Sequence, residues 1–243
     1  MRPSVIIEDL RARIAQIEGV TARHPAVPFE VDAIDRRLPA GGIMTGALHE
    51  VAGSPELADD ASATIFLASI LARMEGPVFW CLQWRDLFAP ALHLAGLHAS
   101  RVIHVEAGSD KNVLLAMEEC LRHPGLAGVV GEVRRYSTTA SKRLQLAAES
   151  SGVTAFVFRR AARSDAMLEG TAAVTRWRIT AAASEALDIP SLGRPRWQVA
   201  LERVRGGEPR SWIVEGADAQ GRISLPAVLV DRPAAQDERQ VAA

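Results

Sequence analysis

Short apolar runs at 47–52, 77–83, 102–105, 126–130 and 153–158 alternate with stretches that carry a helical repeat. This alternation constrains the fold more than any other feature of the chain. A run such as PVFWCLQ (77–83) is apolar at successive positions, so a strand built from it is buried on both faces. Helices are predicted over 60–74, 87–95, 110–123 and 138–150. On the third of these, Leu114, Met117 and Leu121 share a face, and Glu118 stands one turn before Arg122. Strands separated by helices of this length are βαβ units, which make a parallel sheet. After about residue 170 the pattern changes. Segments 174–180, 197–204 and 211–214 alternate apolar with polar or Arg residues and read as antiparallel strands, with a hairpin loop at Arg205-Gly206-Gly207-Glu208-Pro209. The expected fold is α/β: a mostly parallel sheet flanked by helices, with antiparallel strands added at the C-terminal side.

Upstream of the alternation, Ser4 is placed to cap a helix on which Ile7, Leu10, Ile14 and Ile17 form one stripe. So short a helix is marginal alone in water, so the stripe must bury, on the chain's own sheet or on a neighbour. This makes it a candidate docking element. The expected organisation is an N-terminal helix and linker (1–35), a core domain (36–215) and a C-terminal extension (216–243) whose end, from Pro233, is expected to be disordered.

The longest apolar run, 65–72, is far short of the roughly 20 residues that span a bilayer. Glu8 and Asp9 stand where a signal peptide would carry its apolar centre, so no secretory signal is read. Two cysteines, Cys81 and Cys120, fit a reducing cytoplasm and exclude a disulfide scaffold. The net charge of −1 names no partner, but its distribution is uneven. Arg134, Arg135, Lys142, Arg143, Arg159, Arg160 and Arg163 lie within 134–163, where Glu149 is the one acid. Such a face suits contact with single-stranded DNA or an acidic partner, and Tyr136 is placed to stack on a base. The alternative is an ordinary solvated face.

A phosphate-binding loop would follow the first core strand, with glycines for close backbone approach, a Lys at the β and γ phosphates and a hydroxyl for magnesium. The loop here begins at Gly53, and the positions of the second glycine, the Lys and the hydroxyl hold Ala58, Asp59 and Asp60. The nearest lysine is Lys111. Acidic residues would face a polyanion, so the loop is not read as a phosphate cradle. The six histidines show no ligand spacing, and no metal or cofactor is expected. Cys81, inside an apolar run, reads as an inert thiol. Ser137-Thr138-Thr139 reads as a helix cap.

Taken in order, the phrases LPAGGIMTGALHEVAG, GPVFWCL, LFAPALHLAGL, AMEECLR, LAGVVGEV, TASKRLQLAAESSGVTAFVFR, TRWRI and PRWQVALERVRGGEPRSW, over about 36–215, resemble the ATPase core of the RecA recombinases and, more closely, the ImuA family of bacterial SOS mutagenesis cassettes. Carried over by that resemblance, the magnesium-holding acid falls at Gly131; alternation puts Glu132 on the opposite face if the strand continues. The catalytic Glu falls near Gln83 or Trp84, and the polar sensor at Arg159 or Arg160. The resemblance implies a non-catalytic, cytoplasmic partner in error-prone translesion synthesis. It would bind an ImuB-type polymerase-like protein and RecA, with a DnaE-type polymerase reached indirectly. It also implies that the N-terminal helix packs on a neighbouring RecA-type subunit, and that loops in the basic segment face DNA. Two alternatives stay open: an ATPase with an atypical nucleotide site, and a SulA-like inhibitor of cell division.

Overall fold

The computed structural model describes residues 25–161, 170–184 and 193–226. The predicted N-terminal helix with Ile7, Leu10, Ile14 and Ile17, the basic residue Arg163 and the tail from Pro233 lie outside them.

The parallel strands form where the apolar runs place them: β3 (Leu48–Ala52), β4 (Val78–Leu82), β5 (Val102–Glu106), β6 (Gly128–Val133) and β7 (Thr154–Arg159). Three further strands, β8 (Thr175–Ala182), β9 (Arg196–Val204) and β10 (Arg210–Glu215), complete one eight-stranded sheet in the order β10-β9-β8-β3-β7-β6-β4-β5. A separate two-stranded sheet pairs β1 (Ala26–Val27) with β2 (Ile43–Met44). The antiparallel expectation holds for β9 and β10 but only half holds for β8. That strand runs parallel to β3 on one side and antiparallel to β9 on the other. Its first residues, Thr175, Arg176 and Trp177, are buried, and Arg176 is tolerated there because its guanidinium meets Glu50 at 3.0 Å.

Helices cover both faces. Helix α2 (Leu57–Ala72) and α3 (Ala89–Leu94) pack on the face that presents Trp80, Val130, Phe156 and Phe158. Helices α4 (Asp110–Cys120) and α5 (Thr138–Ser151) pack on the other face, against Cys81, Val129, Val133 and Val157. Local chemistry sets their ends. Ser109 and Ser137 accept from the backbone N–H of Asn112 and Ala140, and Gly152 stops α5 in the left-handed region at φ 78°. Helix α2 starts at Leu57, one turn before the predicted Asp60.

The expected boundary at residue 36 falls inside the core. The short helix α1 (Asp32–Asp35) buries Ile34, and Phe29 is fully buried, stacked on Phe66 at 5.8 Å and edge-on to Trp177 at 5.6 Å. Burying an aromatic side chain stabilises by roughly 1.5–3 kcal/mol, so residues 25–35 are structural rather than linker. At the other end Ile223 is also buried, and Ser224 bridges to Glu215.

Candidate functional site: a closed crevice at the strand ends

In an open α/β sheet the ligand crevice lies beyond the carboxyl ends of the strands. Here four loops meet there: 53–56 after β3, 83–88 after β4, 134–137 after β6, and the chain leaving β7 at Arg160. The first loop is folded in on itself. A Cβ at Gly53 would lie 2.6 Å from Asp60 Oδ1, so only glycine fits against the start of α2. Ser54 Oγ donates to Asp59 at 2.6 Å and accepts from the Glu56 N–H at 3.0 Å. Asp59 also accepts from the Ala181 N–H of β8 at 2.7 Å, which closes the loop against the neighbouring strand. Ala58 stands exposed on the first helical turn.

Asp60 is turned inward. It accepts from the Ala161 N–H at 2.9 Å and from Arg160 Nε at 3.2 Å. The same guanidinium donates to Glu132 at 2.7 Å and to Asp86 at 2.9 Å. Glu132 in turn accepts from Trp80 Nε1 at 2.7 Å. Three carboxylates, from α2, β6 and the 83–88 loop, thus converge on one arginine. Burial raises the Asp60 and Glu132 carboxyls, and the charge of Arg160 opposes it. For Arg160, desolvation is outweighed by Asp86 and Glu132, and the guanidinium is held above its usual range. A second arginine, Arg178 of β8, donates to Gly53 O at 3.0 Å and pairs with Glu202 at 2.6 Å. The residues present do not fit a nucleoside triphosphate. The phosphate positions carry Asp59 and Asp60, and the carboxylates that a metal would need are engaged by Arg160.

Several sequence expectations change here. Gly131 and Glu132 face opposite layers as expected, but it is Glu132, not Gly131, that points toward the loop. Strand β6 continues to Val133, so adjacent residues alternate faces; a Cβ at Gly131 would meet Met117 Sδ of α4 at 2.0 Å. Arg159 and Arg160 are not surface cations. Arg159 is buried against Glu50 at 3.3 Å on the opposite face of the sheet, and Arg160 fills the crevice. Tyr136 is not free to stack on a base. Its hydroxyl meets Thr171 at 3.0 Å, its ring faces Arg159, and burial, then Glu50, raises its phenol. Arg143 is exposed but tied to Glu118 at 2.6 Å, a carboxylate it shares with Arg122 at 3.9 Å. Lys142 is exposed on α5. Arg134 and Arg135 remain exposed, side by side.

Trp84, Asp86, Glu50, Arg176 and Arg178 were not singled out as interacting groups by spacing. One signal was available. In a strand buried on both faces, two consecutive arginines at its end must face opposite layers, and each then needs its own buried carboxylate.

The sheet order, the collapsed loop after β3 and the flanking helices define a RecA-like core. The crystal structure of the RadB recombinase superposes on it with a TM-score of 0.58 at 15% identity, covering 82% of this chain and 99% of that one. Protein ImuA of Caulobacter vibrioides strain NA1000 / CB15N is 36% identical over 232 residues, covering 90% of this chain and 94% of that protein. ImuA of strain ATCC 19089 / CIP 103742 / CB 15 matches equally. No family model matches the chain. The chain belongs to the ImuA family.

Proposed function

We propose that this chain is a non-catalytic, RecA-like adaptor of the SOS mutagenesis system, acting in error-prone translesion synthesis by binding an ImuB-type polymerase-like protein and RecA. Membership of the ImuA family supports the role in damage-induced mutagenesis. The observation that carries the non-catalytic reading is the single guanidinium of Arg160 held by Asp60, Glu132 and Asp86. Phosphoryl transfer rests on positioned cations around the transferred group. This crevice presents carboxylates there and neutralises them internally. The match to ImuA over nearly its full length weighs against a SulA-like inhibitor.

The test uses the full chain. ATP turnover should stay at background with and without single-stranded DNA, and ATP with magnesium should leave the melting temperature unchanged. Co-purification should recover the ImuB-type protein rather than FtsZ. A steady ATPase rate that follows the protein through gel filtration and disappears in Glu132→Gln would overturn the reading.

A further inference from the structure

The loop at 83–88 carries two exposed aromatic rings, Trp84 and Phe88, the latter 67% exposed. Elsewhere Trp80, Trp177 and Trp197 are buried, so this exposure is not general to the chain. The loop is also pinned. Gln83 Nε2 donates to Asp110, and Asp86 accepts from Arg160 at 2.9 Å. Asp110 simultaneously accepts from the backbone N–H groups of Arg134 and Arg135, at 3.0 and 3.1 Å. One carboxylate therefore fixes the aromatic loop and the double-arginine loop against each other, and the Arg134 guanidinium lies 5.0 Å from the centre of the Trp84 ring.

The acids of this rim are engaged: Asp110 by those backbone groups, Glu106 by Arg85 at 2.6 Å, and Asp86 by Arg160. Among the described residues, Arg134, Arg135 and Lys111 have no carboxylate partner, while all three are exposed. The rim thus combines exposed aromatic rings on a pinned loop with unneutralised cations. We infer that Trp84, Phe88, Arg134 and Arg135 form a platform for single-stranded DNA. Unpaired bases stack on the aromatic rings or on the guanidinium plane, and the arginines, with Lys111, meet the phosphates. Duplex DNA is a poor occupant, because its bases are already stacked. The platform does not depend on the adaptor reading, since it makes no use of the closed crevice except as an anchor.

The experiment is fluorescence anisotropy of a labelled thirty-nucleotide oligo(dT) with the full chain, from about 50 to 200 mM salt. Wild type should bind, with a log–log salt slope of about −2 for three phosphate contacts. Trp84→Ala and Phe88→Ala should each weaken binding roughly 5- to 150-fold, the range for one lost base stack. Arg134→Ala with Arg135→Ala should flatten the slope. Lys142→Ala, on a helix outside the rim, should bind as wild type does. Both aromatic side chains are exposed, so unchanged circular dichroism and melting confirm that the variants fold. No binding by wild type at the lowest salt overturns the proposal. So do aromatic variants that bind like wild type, or variants that lose capture of the ImuB-type protein while oligo(dT) binding persists.

Discussion

Arg160 donates to Glu132 at 2.7 Å across the carboxyl ends of two neighbouring parallel strands. That bond puts an internal cation where the RecA-like fold opens its ligand crevice. Glu132 is almost fully buried, whereas the arginine keeps an exposed edge. Removing the arginine would leave a buried carboxylate with Trp80 as its remaining donor among the described residues.

Arg160→Met should therefore destabilise the protein by about 2–4 kcal/mol, below the upper range for breaking a fully buried pair because Arg160 is partly solvated. Adding Glu132→Gln should recover part of that loss, since a neutral amide needs no counter-ion. Urea melts of the two single variants and the double variant measure the coupling. Strict additivity would show that the pair does not interact as the geometry implies.

Reinstating an acid at the sequence-aligned magnesium position should fail for a steric reason. Gly131→Asp drives its Cβ into Met117, and even Gly131→Ala should cost about 1–3 kcal/mol by overpacking. Thermal melts give the loss and an ATPase assay gives the expected absence of gain. A Gly131→Ala protein as stable as wild type would mean that α4 yields freely at Met117.

Gly131 falls at the magnesium position through the resemblance alone, and which of Gly131 and Glu132 faces the loop was not legible in the sequence. The run VVGEV shows no alternation, because β6 is covered on both faces and every residue from Gly128 to Val133 is buried. Hydrophobic patterning then carries no information about facing. The same property made the sheet itself legible. Continuous apolar runs with helices between them have few solutions, and β4 to β7 formed where those runs lie. Long-range pairing was not legible. Arg159 and Arg160 find Glu50, Asp60 and Glu132 across 109, 100 and 28 positions, and nothing local marks an arginine as buried when its partner is that distant. Phe29 was missed for the related reason that the chain around Pro25 and Pro28 has a turn composition while the ring itself enters the core.

Writing a phosphate loop back into the chain should unfold it locally rather than activate it. Asp59→Lys removes the acceptor for Ala181 and Ser54, and Asp60→Thr removes the acceptor for Ala161 and Arg160. Each lost buried or charge-assisted bond is worth roughly 1.5–3 kcal/mol. The double variant should melt well below wild type, with hydrogen exchange faster at Ala161 and Ala181 and no ATP turnover. Turnover in this variant would show that the loop retains a latent phosphate geometry.

Acid stability should report on His49, which lies fully buried on β3. Its Nε2 contacts Met44 O at 2.8 Å, an acceptor, so this nitrogen carries the proton. Trp177 Nε1 donates to Thr175 Oγ1 at 2.7 Å, which leaves the threonine hydroxyl to donate to His49 Nδ1 at 2.7 Å. The chain of bonds from indole to hydroxyl to imidazole to carbonyl needs a neutral ring. Burial lowers the His49 pKa from 6.5 to about 4, against the smaller opposing effect of the Met44 carbonyl. Between these values the unfolded chain binds the proton and the folded chain does not. The contribution is therefore fully present above about pH 6.5 and is lost as pH falls toward 4, by about 3 kcal/mol at most. In His49→Gln that dependence should vanish, while the other titrating groups, Asp60 and Glu132 among them, remain in both proteins and cancel in the difference. Urea melts of the two proteins from pH 7 to pH 4 should show wild type losing stability relative to the variant. A difference that stays constant across that range would show that the folded protein accepts a charged His49.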